Sequence, residues 1–570
     1  MTESAPAAPP RKPQVYNPLS DEFDNSARAV STRELPSAFA SPPLMPGLLA
    51  SVHALLGAQA RPTPIQALSL KHLFKRKLDA PANPNTDNAW LQALLAAETG
   101  SGKSMAYLLP MLQDLKLAEL QDASGAAQRA KTHGLMGPRA LVLAPTHELS
   151  RQLSGFAKGL LHNIKLRVLC VSNKNLPARE SKSVTAAQMA KLADALVEGD
   201  DAAGPEMRKQ LGEVDVAVGT PAKILEMAKG RNWDYVEPPE EEWPVDDRGH
   251  KVAPRQRHLG RPSMRLERVE WVVVDEADVL FDADFEQQTK TLLTAISEAR
   301  GHPIDDHPAT HRPSPETPAP LNYPYHLLLS TATIPSALAW YLDTHHPALT
   351  RLASPRLHHL PATLQTEYAA WTGGNRQADV EHRLRRVWHE DALHGSARRS
   401  KVLVFCNKNT RAQDLGRYLT EKGIATVALT STSDARLHGS NHHLDGFLRP
   451  FGRGAAGKDG AAGKDGAAAA PPPPSEEQAE SQDKAGWGDV DKHPHVLVTT
   501  SLLSRGLDFA PDIKHVFIVD EPRNMADFLH RAGRSGRAGE KGKVVVFGKT
   551  KGRGSSRTKE MRKRVGALAA

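Results

Sequence analysis

The stretch that decides the fold is WVVVDEADVL, residues 271–280. Four apolar residues run directly into three acids that lie within four positions. An unbroken apolar run predicts a strand buried on both faces, as in a parallel sheet. Ligands bind at the carboxyl ends of such strands, so Asp275, Glu276 and Asp278 predict a metal and phosphate site. Taken alone, the stretch fits an acidic turn equally well.

A second motif, AETGSGKS at residues 97–104, favours the phosphate site. It lies between an apolar run and a helix-like run, as a phosphate-binding loop does. Glycines let backbone N–H groups point at an anion, the lysine reaches the β- and γ-phosphates, and the last hydroxyl can bind Mg²⁺. Alanine replaces the first glycine of the general pattern, and a flexible glycine-rich turn is the alternative. The candidate residues are Ala97, Glu98, Thr99, Gly100, Ser101, Gly102, Lys103 and Ser104.

Composition narrows the class of protein. The chain has 570 residues, enough for two or three domains, and a formal net charge of +8, which suits a polyanionic partner. Its two cysteines, Cys170 and Cys406, lie in apolar runs and indicate reduced core residues, not a disulfide or zinc site. No apolar run is long enough to span a membrane, so no membrane partner is expected.

Apolar strands alternate with helix-like stretches in two regions, which predicts two α/β domains with parallel sheets. The first region spans residues 36–353 and the second residues 365–548, joined by a turn-rich linker at residues 354–364. Residues 549–570 form a basic tail in which Glu560 is the only acid. Such a tail suits either a bound polyanion or a solvated helix.

Two further segments are expected to be disordered. Residues 452–487 repeat AAGKDG and continue into consecutive prolines. Residues 1–35 form an N-terminal extension, of which residues 1–18 are a poor secretory signal and a weak organellar presequence.

A third motif, HRAGRSGR at residues 530–537, completes a known pattern. With the phosphate loop and the Asp-Glu-Ala-Asp strand end in this order, the chain resembles the DEAD-box RNA helicases from Phe39 to Phe547. The resemblance implies two tandem RecA-like domains, each a parallel sheet flanked by helices, that close on ATP and RNA. It also implies an ATP-dependent RNA helicase with RNA-stimulated ATPase activity and with ATP and Mg²⁺ as ligands.

The resemblance implies residues that hold the nucleoside. RPTPIQ at residues 61–66 is similar to the adenine-reading motif, which begins at Arg61. The amide of Gln66 would bond the base edge, because an amide offers both a donor and an acceptor. Phe39 would pack nearby, and Gly506 and Asp508 would contact the ribose.

It also implies the catalytic residues. Asp275 would hold Mg²⁺ partly through water, with Ser104, and Glu276 would deprotonate the attacking water. Lys103 would reach the phosphates, and Arg534 and Arg537 would reach the γ-phosphate from the second domain. Asp278 would tether the site to the neighbouring TAT motif at residues 331–333. An arginine-rich surface is the alternative for residues 530–537.

RNA would lie across both domains and contact mainly phosphates and 2′-hydroxyls. Closure on a bent strand would melt a few base pairs locally. The implied RNA-binding residues are Pro145, Thr146, His147, Thr220, Pro221, Lys223, Asn407 and Thr500.

Several positions depart from the family pattern. His147 replaces an arginine, Lys223 follows Ala222 where the pattern has Gly-Arg, Thr331 replaces a serine and Ser501 replaces an aspartate. All of them concern RNA contacts or domain coupling, so we expect ATPase activity with weaker or partner-dependent unwinding.

The weaker motifs resemble the fungal mitochondrial branch linked to assembly of the large ribosomal subunit. They predict a mitochondrial protein that is a monomer and has rRNA and ribosome-assembly proteins as partners. The alternative locations are nuclear and cytoplasmic. An ATP-gated RNA clamp with little unwinding is the alternative function. A DNA translocase is disfavoured by the adenine-reading motif and the Asp-Glu-Ala-Asp strand end together.

Overall fold

The computed structural model describes residues 35–41, 44–74, 90–121, 135–172, 214–235, 260–304, 320–395, 399–431, 441–449, 494–537, 539–549 and 555–568. The expected disordered insert at residues 452–487 lies outside these ranges, as does the expected N-terminal extension apart from its last residue.

Seven strands form the first sheet: β1 (Gln92–Ala96), β2 (Ala140–Leu143), β3 (Val168–Val171), β4 (Val216–Gly219), β5 (Trp271–Val274), β6 (His326–Thr331) and β7 (Thr350–Ala353). All pair in parallel, in the order β3-β4-β2-β5-β6-β1-β7. The decisive stretch is therefore the central strand of this sheet.

Helices cover both faces of the first sheet, because the apolar side chains of β5 point alternately to the two faces. Trp271 and Val273 pack into one apolar cluster, and Val272 and Val274 pack into another on the opposite face. Successive side chains of a strand point to opposite faces, so an all-apolar strand needs cover on both. The helices are α1 (Pro46–Leu56), α2 (Pro64–His72), α3 (Lys103–Gln121), α4 (His147–Leu160), α5 (Pro221–Lys229), α6 (Ala277–Leu280), α7 (Glu286–Ala299) and α8 (Ser336–His345).

Six strands form the second sheet: β8 (Leu364–Ala370), β9 (Lys401–Cys406), β10 (Thr426–Leu429), β11 (Val496–Thr500), β12 (Ile513–Ile518) and β13 (Gly542–Gly548). They are also parallel, in the order β10-β11-β9-β12-β13-β8. The helices are α9 (Arg376–Leu393), α10 (Asn409–Glu421), α11 (Ser501–Ser504), α12 (Met525–Ala532) and α13 (Ser555–Leu568), with a 3₁₀ turn at His442–Leu444.

The predicted fold class is confirmed, because both sheets are parallel and flanked by helices. The basic tail contains α13, whose Met561 and Val565 are buried against the second sheet while Lys559 and Lys563 are exposed. Among the helices that the structure describes, none is both long and apolar enough to cross a membrane.

Candidate nucleotide-binding cleft

A cavity of about 510 Å³ lies between the two domains. Its volume is within the range of about 300–1,000 Å³ typical of small-ligand pockets. The predicted site residues that line it are Gln66, Thr99, Gly100, Gly102, Lys103, Ser104, Asp275, Glu276, Gly506, Asp508, Arg534 and Arg537. The structure thus brings residues predicted from five separate motifs to one cavity.

Other predicted nucleotide-site residues do not line it. Phe39 is 1% exposed and belongs to the apolar core, whereas Arg61 is exposed to solvent. Ala97 is fully buried behind the loop, where its N–H donates to the carbonyl oxygen of Thr331. Glu98 and Ser101 lie in the same loop but are not part of the cavity wall.

The phosphate loop closes tightly on the adenine-reading motif. Gly102 has a φ of +84°, and a Cβ at this position would overlap the side chain of Gln66. The Gln66 amide nitrogen donates to the Gly102 carbonyl oxygen over 3.2 Å, and its oxygen accepts from the N–H of Thr63 over 2.9 Å. Gln66 therefore joins the start of α2 to the loop.

Buried cations make this cleft suited to a polyanion. Lys103 Nζ donates to the carbonyl oxygens of Ala97 and Glu98 over 2.7 and 3.1 Å. Burial lowers the pKa of Lys103, although Glu276 and Asp275 act in the opposite direction. Burial, reinforced by the nearby Arg537, lowers the pKa of Arg534 to about 9.

Unpaired polar atoms in the cleft indicate the same ligand chemistry. Arg534 Nη2 in the cavity wall and Ser101 Oγ in the adjoining phosphate loop are buried donors that have no hydrogen-bond partner among the described residues. Buried donors without partners are energetically costly, and phosphate oxygens accept from such donors. The residues present therefore fit a nucleoside triphosphate, and the oxygen ligands of Ser104 and Asp275 fit Mg²⁺.

The acidic strand end lies opposite the phosphate loop. Tyr107 of α3 donates its hydroxyl to Asp275 over 3.0 Å. Burial, reinforced by the charge of Glu276, raises the pKa of Asp275 to about 6. Glu276 itself adopts the left-handed conformation, with φ and ψ both 52°. The left-handed conformation is strained for a residue other than glycine, and residues held in it cluster at functional sites.

Asp278 lies at a junction of both domains. The hydroxyl groups of Thr331 and Thr333 donate to its two oxygens over 3.1 and 2.9 Å. From the second domain, His530 Nε2 lies 2.7 Å from Asp278 Oδ2, and Arg505 Nη1 lies 3.4 Å from the same oxygen. These contacts hold the pKa of Asp278 well below its usual range despite burial, with the charge of His530 the strongest lowering influence.

One group of possible metal ligands occurs within the described part of the chain. Glu276, Asp278 and His530 offer ligand atoms that all lie within 4.8 Å of one another. An imidazole is a poor ligand for Mg²⁺, and the hydrogen bond to Asp278 already engages His530. This group is better explained as a contact between the domains.

The arginine pair is held by three carbonyl oxygens and one carboxylate of its own domain. Arg534 donates to the carbonyl oxygens of His530 and Leu507 over 2.9 and 3.0 Å. Arg537 donates to the Gly533 carbonyl oxygen over 2.9 Å and to Asp508 over 3.1 Å. These hydrogen bonds hold both guanidinium groups in place without a bound ligand.

Further contacts join the two domains around the cavity. The Thr99 hydroxyl donates to the Gly533 carbonyl oxygen over 3.1 Å, and the Asp508 N–H donates to the Gln152 amide oxygen over 3.0 Å. Gly506 has a φ of +68°, and a Cβ there would overlap the side chain of Leu149. Gly506 is therefore required by close approach of the domains.

The predicted RNA residues follow the carboxyl ends of two adjacent strands in each sheet. Thr146 follows β2 and caps α4, where its side chain accepts from the N–H of Leu149. Thr220 follows β4 and caps α5 in the same way, accepting from the N–H of Lys223. Pro145 is buried, His147 is half-buried at the start of α4, and Pro221 begins α5.

Three of the predicted RNA residues are engaged in or buried against protein. Lys223 is 7% exposed, and its Nζ lies 3.3 Å from Glu226. The Asn407 side chain donates to the Glu521 carbonyl oxygen over 2.9 Å and accepts from Arg531 over 2.6 Å. Thr500, the last residue of β11, is 9% exposed.

Sequence reasoning assigned no role to Tyr107, Arg505 or His530. Tyr107 is four residues beyond Lys103, one helical turn, which is the only local signal that it faces the same site. His530 and Arg505 meet Asp278 from more than 220 residues away along the chain. Their contacts are visible only once both sheets are placed.

Comparisons with known proteins agree with this geometry. Residues 63–339 match the DEAD/DEAH box helicase family, and residues 474–539 match the helicase conserved C-terminal domain. The chain is 33% identical over 527 residues to the mitochondrial ATP-dependent RNA helicase MRH4 of Cryptococcus neoformans var. neoformans, a match that covers 88% of this chain and 81% of the relative. The chain belongs to the DEAD-box family of ATP-dependent RNA helicases.

Within this family, the similarity extends to other fungal mitochondrial helicases. The mitochondrial helicase MRH4 of Phaeosphaeria nodorum is 27% identical over 569 residues, covering 92% of this chain and 71% of the relative. These relatives confirm the predicted fungal mitochondrial branch, the mitochondrial location and an ATP-dependent RNA helicase with ATPase activity.

The fold has solved counterparts. A structure of S. cerevisiae Dbp5 bound to RNA and ADP BeF3 superposes with a TM-score of 0.51 at 18% identity, covering 94% of each chain. At this identity the likeness concerns the fold alone, and it confirms two RecA-like domains.

Proposed function

We propose that this helicase binds ATP and RNA in the cleft between its domains and couples ATP hydrolysis to local duplex unwinding or RNA–protein remodelling. The observation that carries the proposal is a single cavity that contains the phosphate loop and Glu276 of the first domain with Arg534 and Arg537 of the second. Groups that act on one phosphate are supplied by both domains, so hydrolysis depends on closure.

ATP binding is assigned to one face of the cavity. Lys103 and the loop N–H groups hold the phosphates, while Gln66 lies where an adenine edge would be read, and Gly506 and Asp508 lie where a ribose would be. Ser104 and Asp275 would hold Mg²⁺, which supplies charge neutralisation on the phosphate oxygens when bound.

Hydrolysis uses the remaining groups. Glu276 accepts a proton from the attacking water; its Oε2 lies 3.9 Å from His530 Nδ1 and has no hydrogen-bond partner among the described residues. Arg534 and Arg537 stabilise negative charge on the transferring phosphoryl group, as arginine fingers do. Asp278, held by His530, links the position of the base to closure.

RNA binding is assigned to the carboxyl ends of β2, β4, β9 and β11. The charge distribution adds support, because residues 549–570 contain eight Lys and Arg against one Glu, a net charge of +7 out of +8 for the whole chain. Phosphate contacts release counterions, so RNA affinity should fall steeply as salt rises.

The second candidate function is an ATP-gated RNA clamp with little unwinding. It is favoured by the engagement of Lys223 by Glu226 and of the Asn407 amide by Arg531 and Glu521. Side chains already paired within the protein have less to offer an RNA strand.

One experiment separates these functions: ATP hydrolysis and displacement of a short RNA duplex are measured side by side on the isolated protein. Displacement in step with RNA-stimulated hydrolysis supports the helicase, and hydrolysis with stable RNA retention but no displacement supports the clamp. Equal stimulation by single-stranded DNA would instead indicate a DNA translocase.

We further propose that the RNA is rRNA and that the process is assembly of the mitochondrial large ribosomal subunit, with the protein acting as a monomer beside assembly proteins. The similarity to mitochondrial helicases supports the compartment in which such RNA occurs. Crosslinking the tagged protein to RNA in cells tests the proposal, which fails if mitochondrial rRNA is not enriched.

We also propose that the two domains span residues 36–353 and 365–548.

A further inference from the structure

The segment between the two sheets, residues 354–363, is hydrogen-bonded to both halves of the cleft. At its start, the Ser354 N–H donates to the carbonyl oxygen of Ala96, the last residue of β1. Its end leads into β8. The segment therefore runs from the strand that precedes the phosphate loop to the sheet that presents the arginine pair.

The first contact of this segment with the site is made by His358. The Ile334 N–H donates to His358 Nε2 over 3.1 Å, and the imidazole is 7% exposed. Ile334 directly follows Thr333, whose hydroxyl binds Asp278. His358 holds this position with a φ of +65°, an unfavourable conformation for a residue other than glycine.

The second contact is made by Thr363. Its hydroxyl donates to the Gly536 carbonyl oxygen over 3.0 Å, and its own carbonyl oxygen accepts from the Gly542 N–H over 3.1 Å. Thr363 thus binds both ends of the turn between Gly536 and Gly542, and Arg537 lies in this turn. A Cβ on Gly536 would lie 3.2 Å from Leu364 and 3.3 Å from Thr363, so the packing here is close.

The two contacts are connected by a short piece of chain. His358 and Thr363 are five positions apart in the sequence, a distance that can span at most about 17 Å when the chain is fully extended. A small cavity of about 20 Å³ beside this piece of chain is lined by His358 and Pro361 of the segment and by Thr333, His530 and Gly533 of the site. The segment is therefore packed directly behind the groups that meet on closure.

We propose that Thr363 and His358 are positioning residues for ATP hydrolysis: Thr363 sets the position of Arg537, and His358 sets the position of the Thr333–Asp278 contact. This inference rests on the proposed roles of Arg537 and Glu276. Neither residue touches the cavity in which ATP would bind, so both act through the groups that they hold.

Thr363→Val tests the first half, because it keeps the shape of the side chain and removes the donor. One neutral hydrogen bond corresponds to roughly a three- to tenfold change, which we expect as a fall in the kcat of RNA-stimulated hydrolysis with the KM for ATP unchanged. Thr363→Ser restores the hydroxyl and should restore kcat. A loss that appears in KM instead, or equal losses in both variants, would overturn the inference.

A double-mutant cycle separates positioning from simple stabilisation. In an Arg537→Ala background, Thr363→Val should cause no further loss of kcat, since the group it positions is absent. Additive losses would contradict the inference. If Arg537→Ala alone leaves hydrolysis intact, the proposed function fails instead, so the two failures are distinguishable.

His358→Asn tests the second half, because asparagine tolerates positive φ but is too short to reach Ile334 in the same way. We expect a fall in kcat of the same order, with the neighbouring exposed residue as control: His359→Asn should leave kcat unchanged. Equal behaviour of the two histidine variants would remove His358 from the inference.

Discussion

His530 Nε2 lies 2.7 Å from Asp278 Oδ2, and this hydrogen bond joins the two domains beside the proposed catalytic base. Both side chains are about 2% exposed or less. Because the low pKa of Asp278 keeps its carboxylate ionised, the imidazole nitrogen is the donor. Asp278, two residues from the proposed base Glu276, therefore has all of its hydrogen bonds only when the two domains are in contact.

Replacing His530 by alanine should weaken closure. A buried hydrogen bond to a charged group is worth about 1.5–3 kcal/mol, so RNA affinity in the presence of a non-hydrolysable ATP analogue should fall roughly ten- to a hundredfold. RNA binding measured with and without the analogue checks this. His382→Ala, on the exposed side of α9, is the control and should leave both affinities unchanged.

Glu276→Gln should abolish turnover while keeping ligand binding. The amide has nearly the same size but cannot accept a proton, and a general base contributes about 100- to 10,000-fold. Phosphate release should fall by at least about 100-fold, and the protein should remain on RNA after ATP addition. If hydrolysis persists near the original rate, another group is the base.

Gly506→Ala should block closure without unfolding the second domain, because its Cβ would overlap Leu149 of the first. RNA-stimulated hydrolysis should be lost. Gly423→Ala is the matched control, since Gly423 also has a positive φ, of +75°, but its Cβ would have no heavy atom within 4 Å. Both variants should lose about 1 kcal/mol of stability from backbone strain, but the control should keep its activity.

Stability should decrease in acid because of His346. This residue is 2% exposed and stacks on Tyr323 with ring centroids 5.7 Å apart. Burial, reinforced by His345, lowers its pKa to about 4. A lowered pKa means that the unfolded chain binds the proton more readily, so the stabilisation is complete above about pH 6.5 and is lost as pH falls toward 4.

The measurement is urea unfolding at pH 7 and pH 5, between which His346 accounts for about 2 kcal/mol. His346→Phe should reduce this pH dependence. The pKa of His515 is also lowered to about 4, mainly by burial, so the dependence should shrink and not vanish. An unchanged dependence in the variant would show that His346 is not its source.

The sequence predicted the fully apolar strands better than the strands at the sheet edges, which mix polar with apolar residues. The valine run of β5 was predicted at its exact bounds, because a fully apolar strand has a strong signal. β7 (TRLA) and β8 (LQTEYAA) were not assigned as strands, because they lie at sheet edges and mix polar with apolar residues. Their place is determined by pairing with β1 and β13, which is tertiary information.

The candidate site also has a part that the sequence predicted and a part that it did not. The phosphate loop and the acidic strand end are local motifs, and their residues meet in one cavity as expected. Phe39, expected to pack near the adenine-reading motif, is buried in the same apolar cluster as Ile65 of that motif and does not line the cavity, since an apolar side chain gains most from complete burial. The pairing of Asn407 with Arg531 could not be predicted, because 124 residues separate the two.

The left-handed backbone of Glu276 has an evolutionary consequence. A non-glycine residue in this conformation costs the first domain about 1–2 kcal/mol, a sizeable share of typical domain stability. Glycine at position 276 would relieve that strain and remove the side chain that we propose as the base. Selection for stability and selection for turnover therefore act in opposite directions on this one residue, and a glutamate here is retained only while the chain is used as an enzyme.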